Sequence, residues 1–220
     1  MQDFASGQHL RENPAKISLF AIAKPLRASS AAFAYFVSLI LCRLSHLMKV
    51  SMTNAIYSGS IPVFKQMLGG LKEVLRKAEA HALEKKIDPN ALLQARLFPD
   101  MFPMLRQVQV AADFAKSVSA RLAGVEVPKM DDTEQTFAEL QTRINTVLTF
   151  IDGLDAASFN EAATREIITQ AGTPKEKRFT GQSYLLNYGL PHFFFHITTA
   201  FAILRHNGVE VGKKDYIGNY

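Results

Sequence analysis

From Ala55 to His206 apolar residues return every three or four positions, in runs too long for strands and separated by proline and glycine breakers. The first run carries Phe64, Met67, Leu68, Leu71, Val74, Leu75 and Ala78 and predicts a helix over Ala55–Lys86, with Pro62 bending it or offsetting its start. Asp88-Pro89 opens the next element. Pro99 and Pro103 then split the segment up to Ala123 into a short helix ending near Leu97 and a longer one over Asp100–Leu122. Gly124 stops it, and 125–131 reads as a linker. Asp132-Thr133 cap a third helix to Leu154, and a fourth spans Ser183–His206 up to Gly208. Between them, 165–180 reads as a β-hairpin or extended flap. Four long amphipathic helices can bury their stripes only against one another. The expected fold is therefore all-α, an antiparallel four-helix bundle with a small hairpin or flap before the last helix.

Composition narrows the function. The chain is 48% hydrophobic and 20% charged, with a net charge of +5. Its Lys and Arg are interleaved with Asp and Glu, which argues against a nucleic-acid surface. A single cysteine, Cys42, excludes an intrachain disulfide and suits a reducing, cytoplasmic setting. Residues 1–51 read as a separate N-terminal extension, and 52–220 as the domain. The uncharged stretch from Ala28 to Cys42 lacks a small-x-small cleavage site and falls short of the ~20 residues a bilayer span requires, so a membrane partner is not expected.

One constellation stands out. His192 and His196 are four residues apart on the last helix, hence on one face, in a stripe with Leu185, Tyr188, Thr199 and Ile203. Two neutral imidazoles on adjacent turns can hold one divalent ion such as Zn or Ni, provided another helix supplies a third ligand. His81 on the first helix and Asp100 or Gln107 on the second are the polar groups available for that place. The same residues can instead satisfy one another as a hydrogen-bonded polar core, since each imidazole both donates and accepts. Gly69-Gly70 suggests close packing, because no phosphate-binding glycine pattern surrounds it.

Arg96-Leu97-Phe98-Pro99-Asp100-Met101-Phe102-Pro103, Asp113-Phe114-Ala115-Lys116, Gly181–Leu190, His192–His196 and Gly212-Lys213-Lys214-Asp215-Tyr216 resemble a bacterial domain-of-unknown-function family of the DinB-like four-helix bundles. The resemblance covers nearly everything from Met52 onward. It implies the bundle fold, homodimers and, in many DinB-like proteins, a divalent metal held by three histidines in thiol-dependent transferases or isomerases. His192 and His196 match the two ligands of the last helix. The second-helix histidine of that pattern has no counterpart here, so Gln107, Asp100 or His81 would have to replace it. The functional expectation is a metal-dependent, thiol-transferase-like enzyme; the alternative is a non-catalytic, small-molecule-binding or stress-related dimeric bundle.

Overall fold

The computed structural model describes residues 35–43 and 55–219. Two compact units divide the chain at Cys42–Arg43. A short exposed helix, 35–43, reaches the end of the first; the rest of the expected extension lies outside the described residues. Among the described residues, no helix is long and apolar enough to cross a membrane.

Among its described residues the second unit is helical apart from one hairpin. Its helices are α1 (Ile61–Lys85), α2 (Pro89–Leu93), α3 (Met104–Ala123) and α4 (Phe137–Asp152). The strands β1 (Glu166–Thr169) and β2 (Lys177–Thr180) follow, then α5 (Leu190–His206) and the short α6 (Lys213–Ile217). The strands are antiparallel, with Ile167 opposite Phe179. Packing runs in a ring: α1 against α4, α4 against α3, α3 against α5 and α5 against α1. The stripes meet inside that ring. Phe64 of α1 and Phe193 of α5 form an edge-to-face pair with centroids 4.7 Å apart, both side chains fully buried.

Three helix starts differ from the sequence expectation, each for a local reason. Pro62 occupies the first turn of α1, where its missing N–H costs nothing, so the helix begins at Ile61 after a separate turn at 55–58. Pro103 rather than Asp100 precedes α3, which leaves Asp100 exposed in a turn. For α4 the cap is Thr136. Its hydroxyl accepts from the Glu139 amide at 3.2 Å, and the Glu139 carboxylate accepts from the Thr136 amide at 3.0 Å. Asp132, the expected cap, is drawn into an ion cluster instead.

That cluster fastens the 125–136 linker to the bundle. The Arg143 side chain on α4 is wholly buried and donates to Asp113, Asp132 and Glu134, each at 2.9 Å. Lys116, also buried, pairs with Asp113 at 2.9 Å, and Arg106 pairs with Asp132. Three cations thus face three carboxylates, and the group is close to neutral. A buried ion set of this kind adds little net stability over hydrocarbon, but removing one member strands the others.

The last helix is not uniform. An α-turn at Gly181–Ser183 leads into a π-helical stretch, Tyr184–Gly189, before α5 begins. Pro191 explains the widening: it cannot donate to the carbonyl four residues back, and its ring would collide with it in a regular helix. At Gly189 the chain runs so close to α3 that an added Cβ would lie 2.9 Å from Val118 Cγ2. The tail closes on α1 in the same manner, where a Cβ at Gly70 would lie 2.5 Å from the Tyr216 carbonyl oxygen. Gly70 therefore serves close packing as expected, with the tail as its partner.

Replacing Arg143 by Leu should cost roughly 1–3 kcal/mol in the urea-unfolding free energy, because the mostly buried Glu134 loses its partner while Asp113 and Asp132, each about a third exposed, keep part of their water. A loss below about 1 kcal/mol would mean that these carboxylates are solvated in the folded protein.

Candidate ligand site

Along α3, Gln107, Phe114 and Arg121 are seven residues apart, two helical turns each, and so lie on one face. That face looks onto the π-helical stretch and α5. Gln107 is buried and its amide bridges two elements: Nε2 donates to the Phe102 carbonyl at 3.1 Å, while Oε1 lies 2.7 Å from His196 Nδ1. The Phe102 carbonyl can only accept, so it fixes which end of the amide faces it. Oε1 then faces His196, whose Nδ1 must carry the proton and donate. His192 is set in the same way, since its Nδ1 lies 2.7 Å from the Tyr188 carbonyl and donates to it. In their neutral forms both rings carry the proton on Nδ1 and a free lone pair on Nε2.

The two imidazoles differ in burial. His196 is only 8% exposed, and burial above all, then the nearby His192 and Arg106, pushes its pKa down to about 4. His192 stands at the solvent edge, not inside as its stripe implied. The buried line of α5 runs through Phe193, His196, Ile197, Ala200 and Ile203. Phe114 joins the pair, its ring stacked on His192 at 4.8 Å and near-parallel to His196 at 6.0 Å.

The other expected ligands do not converge on this point. Gln107 has both amide atoms in hydrogen bonds, Nε2 to the Phe102 carbonyl and Oε1 to His196, which it orients. Asp100 is exposed in the turn before α3. His81 lies seventeen residues along α1 from Phe64, roughly 25 Å at 1.5 Å per residue. Phe64 is the residue that meets α5 one turn from His196. Among the described residues no three His, Cys, Asp or Glu side chains gather as a metal would require. The donor set falls short of the three protein ligands of a catalytic zinc site.

Beside the imidazoles lies a cavity of about 270 Å³, between α3, the π-helical stretch and the hairpin. Phe114, Tyr184 and Tyr188 make its aromatic wall, Thr169 and Gln170 its hairpin side, and Arg106 and Arg121 its charge. Tyr188 is the hub of this wall, 4.4 Å from His192, 5.6 Å from Tyr184 and 5.3 Å from Phe179, centroid to centroid. Arg121 Nη1 donates to the Tyr184 hydroxyl at 3.0 Å. Burial raises the pKa of that hydroxyl more than Arg121 lowers it, so it stays neutral. A second cavity of about 440 Å³ lies under the 125–131 linker and shares Asp113, Ser117 and Arg121 with the first. A larger groove of about 960 Å³ runs between α1 and the tail. Its lining mixes Lys65, Lys213 and Lys214 with Glu73 and Asp215, and no aromatic ring walls it.

The arginines and tyrosines of this cavity lay outside the expected site. The signal for Arg121 was the seven-residue step from Gln107 through Phe114. Following the four-residue line to Val118 instead leads into the core.

Residues 56–217 match a protein family described as a domain of unknown function, DUF1993. The crystal structure of a DinB family member from Shewanella denitrificans is 45% identical, covers 77% of this chain and 96% of its own, and gives a TM-score of 0.73. Among curated proteins none matches.

Because His196 is neutral when folded and titrates near the ordinary 6.5 when unfolded, the unfolded chain binds the extra proton between those values. Stability should be full above about pH 6.5 and fall toward pH 4, with this group contributing on the order of 3 kcal/mol at most. The His196→Asn variant keeps a donor for Gln107 and should show a flatter fall in urea midpoint over that range. Equal slopes in the two proteins would refute the depressed pKa.

Proposed function

The chain belongs to the DUF1993 family of DinB-like bundles, and we propose that it is a small-molecule-binding protein whose ligand occupies the aromatic cavity beneath the β1–β2 hairpin. The observation that carries this reading is the cavity itself. An aromatic wall meets a few convergent polar groups at about 270 Å³, just under the ~300–1,000 Å³ usual for organic ligands. The neighbouring imidazoles support it too: both are held in one tautomer by oxygen acceptors, and each offers a lone pair at Nε2. A neutral, oriented imidazole is a competent hydrogen-bond acceptor or general base. Gln107 behind His196 is then a positioning residue.

One observation favours a second reading, in which His192 and His196 hold a Zn or Ni ion. Metal-bound histidines nearly always donate their other N–H to a carbonyl or carboxylate, and both rings here donate to a carbonyl-type oxygen. The ion would supply Lewis-acid or water-activating chemistry, with exogenous ligands completing its sphere. Against this stands the lack of a third converging side chain among the described residues.

Small aromatic fragments added to isotope-labelled protein should shift the NMR signals of Phe114 and Tyr188 first, and Ser117→Phe, which intrudes on the cavity, should abolish those shifts. They should survive dialysis against a chelator. Shifts scattered over the surface would remove the cavity reading. Their loss on chelation, with a stoichiometric ion that His196→Ala also removes, would replace it by the metal-dependent one.

A further inference from the structure

We infer that the cavity ligand is a small aromatic anion, its ring lying against Phe114 and Tyr188 and its carboxylate or phosphate on Arg121. This rests on the cavity being the ligand site and adds the ligand's chemical class.

The argument begins with charge. Two arginines and one carboxylate line the cavity: Arg106, Arg121 and Asp113. Asp113 is already engaged by Arg143 and Lys116, both at 2.9 Å, and Arg106 by Asp132. Those groups belong to the near-neutral cluster that pins the linker. Arg121 stands outside it. Its guanidinium donates to a neutral phenol, Tyr184, and no carboxylate of the described residues forms an ion pair with it. Four of its five N–H donors remain for another acceptor.

Position makes that charge available. Arg121 is only partly exposed and lies where the 270 Å³ and 440 Å³ cavities share a wall, so it can be reached from both. A second cation comes from the hairpin, where Lys177 Nζ lies 5.5 Å from the centre of the Tyr188 ring. Arg121 thus leaves an unanswered positive charge at the cavity wall, with the exposed Lys177 nearby on the Tyr188 ring, and a neutral ligand would not meet it. A planar anion answers it, since a guanidinium fork pairs in two parallel bonds with carboxylate or phosphate oxygens.

The walls choose the rest of the molecule. Phe114 and Tyr188 pack against each other, centroids 5.8 Å apart, and with Val110 give the cavity one apolar side. Ser117 and Thr169 are the small hydroxyl groups available. The aromatic side of the cavity suits the face of a planar, apolar body, while its polar groups gather on the Arg121 side.

The test measures affinities by calorimetry on the full chain, using benzoate and phenyl phosphate against neutral, similarly shaped benzamide and against inorganic phosphate. At least one aromatic anion should bind tenfold or more tightly than benzamide, and whichever is tighter assigns carboxylate or phosphate as the headgroup. In Arg121→Gln the preference should vanish while benzamide binding persists. Arg121→Lys, which keeps the charge without the fork, should retain part of it, and Lys72→Gln on the far face of α1 should retain it all. Equal affinity for benzoate, phenyl phosphate and benzamide would overturn the anion and leave the cavity reading standing. Inorganic phosphate binding as tightly as phenyl phosphate would overturn the aromatic half. No binding of any aromatic probe would overturn both.

Discussion

Polar side chains cross the seam between α3 and α5, and in a contact otherwise made of Ala111, Ala115, Val118 and Phe193 they have to satisfy one another. An unpaired buried amide or imidazole nitrogen costs about 1–3 kcal/mol, so Gln107 and His196 are each other's condition for being there. Gly189 lets the backbones come near enough, and the π-helical turn before Pro191 sets the phase at which α5 arrives. From that phase follow the orientation of both imidazoles and the stacking of Phe114 upon them. The cavity opens beside them, where the widened helix carries Tyr184 and Tyr188 across α3.

The bundle was legible because its cause is local and periodic. A stripe such as Phe64–Leu68–Leu71–Leu75 forces a helix with one buried face, and four such stripes leave one economical arrangement. The hairpin at 166–180 was legible too, from its turn residues and β-branched flanks. Helix starts were less so. Asp132-Thr133 and Thr136 are both plausible caps, and only the claim of Arg143 on Asp132 decides between them. That claim comes from eleven residues along the chain, where the linker folds back on α4, which no helical period records.

For the site the division is similar. The spacing of His192 and His196 put them on one helix face, and Gln107 was recognised as a polar group on an apolar line. What could not be read was which of them faces solvent: His192 lies a turn nearer the start of α5, at the edge of its buried face, and an i, i+4 spacing does not say where along a helix burial ends. His81 and Asp100 satisfied a pattern without satisfying a distance. Arg121 gives no signal of its own in the sequence, since an arginine near a helix end ordinarily serves the helix dipole. Its significance emerges only once Asp113, the carboxylate that shares its cavity, is found to be taken. Electrostatic function here is a remainder after the structural pairs are counted, and a remainder requires the whole sum.

The Gln107–His196 bond carries the central claim, and nitrogen-15 NMR of the histidine rings measures it most directly. The account predicts that at pH 7 His196 is neutral with its proton on Nδ1 and a bare Nε2, and that it resists protonation until about pH 4. A proton on Nε2, or titration at the ordinary value near 6.5, would contradict it and detach the imidazole pair from the seam that is said to orient it.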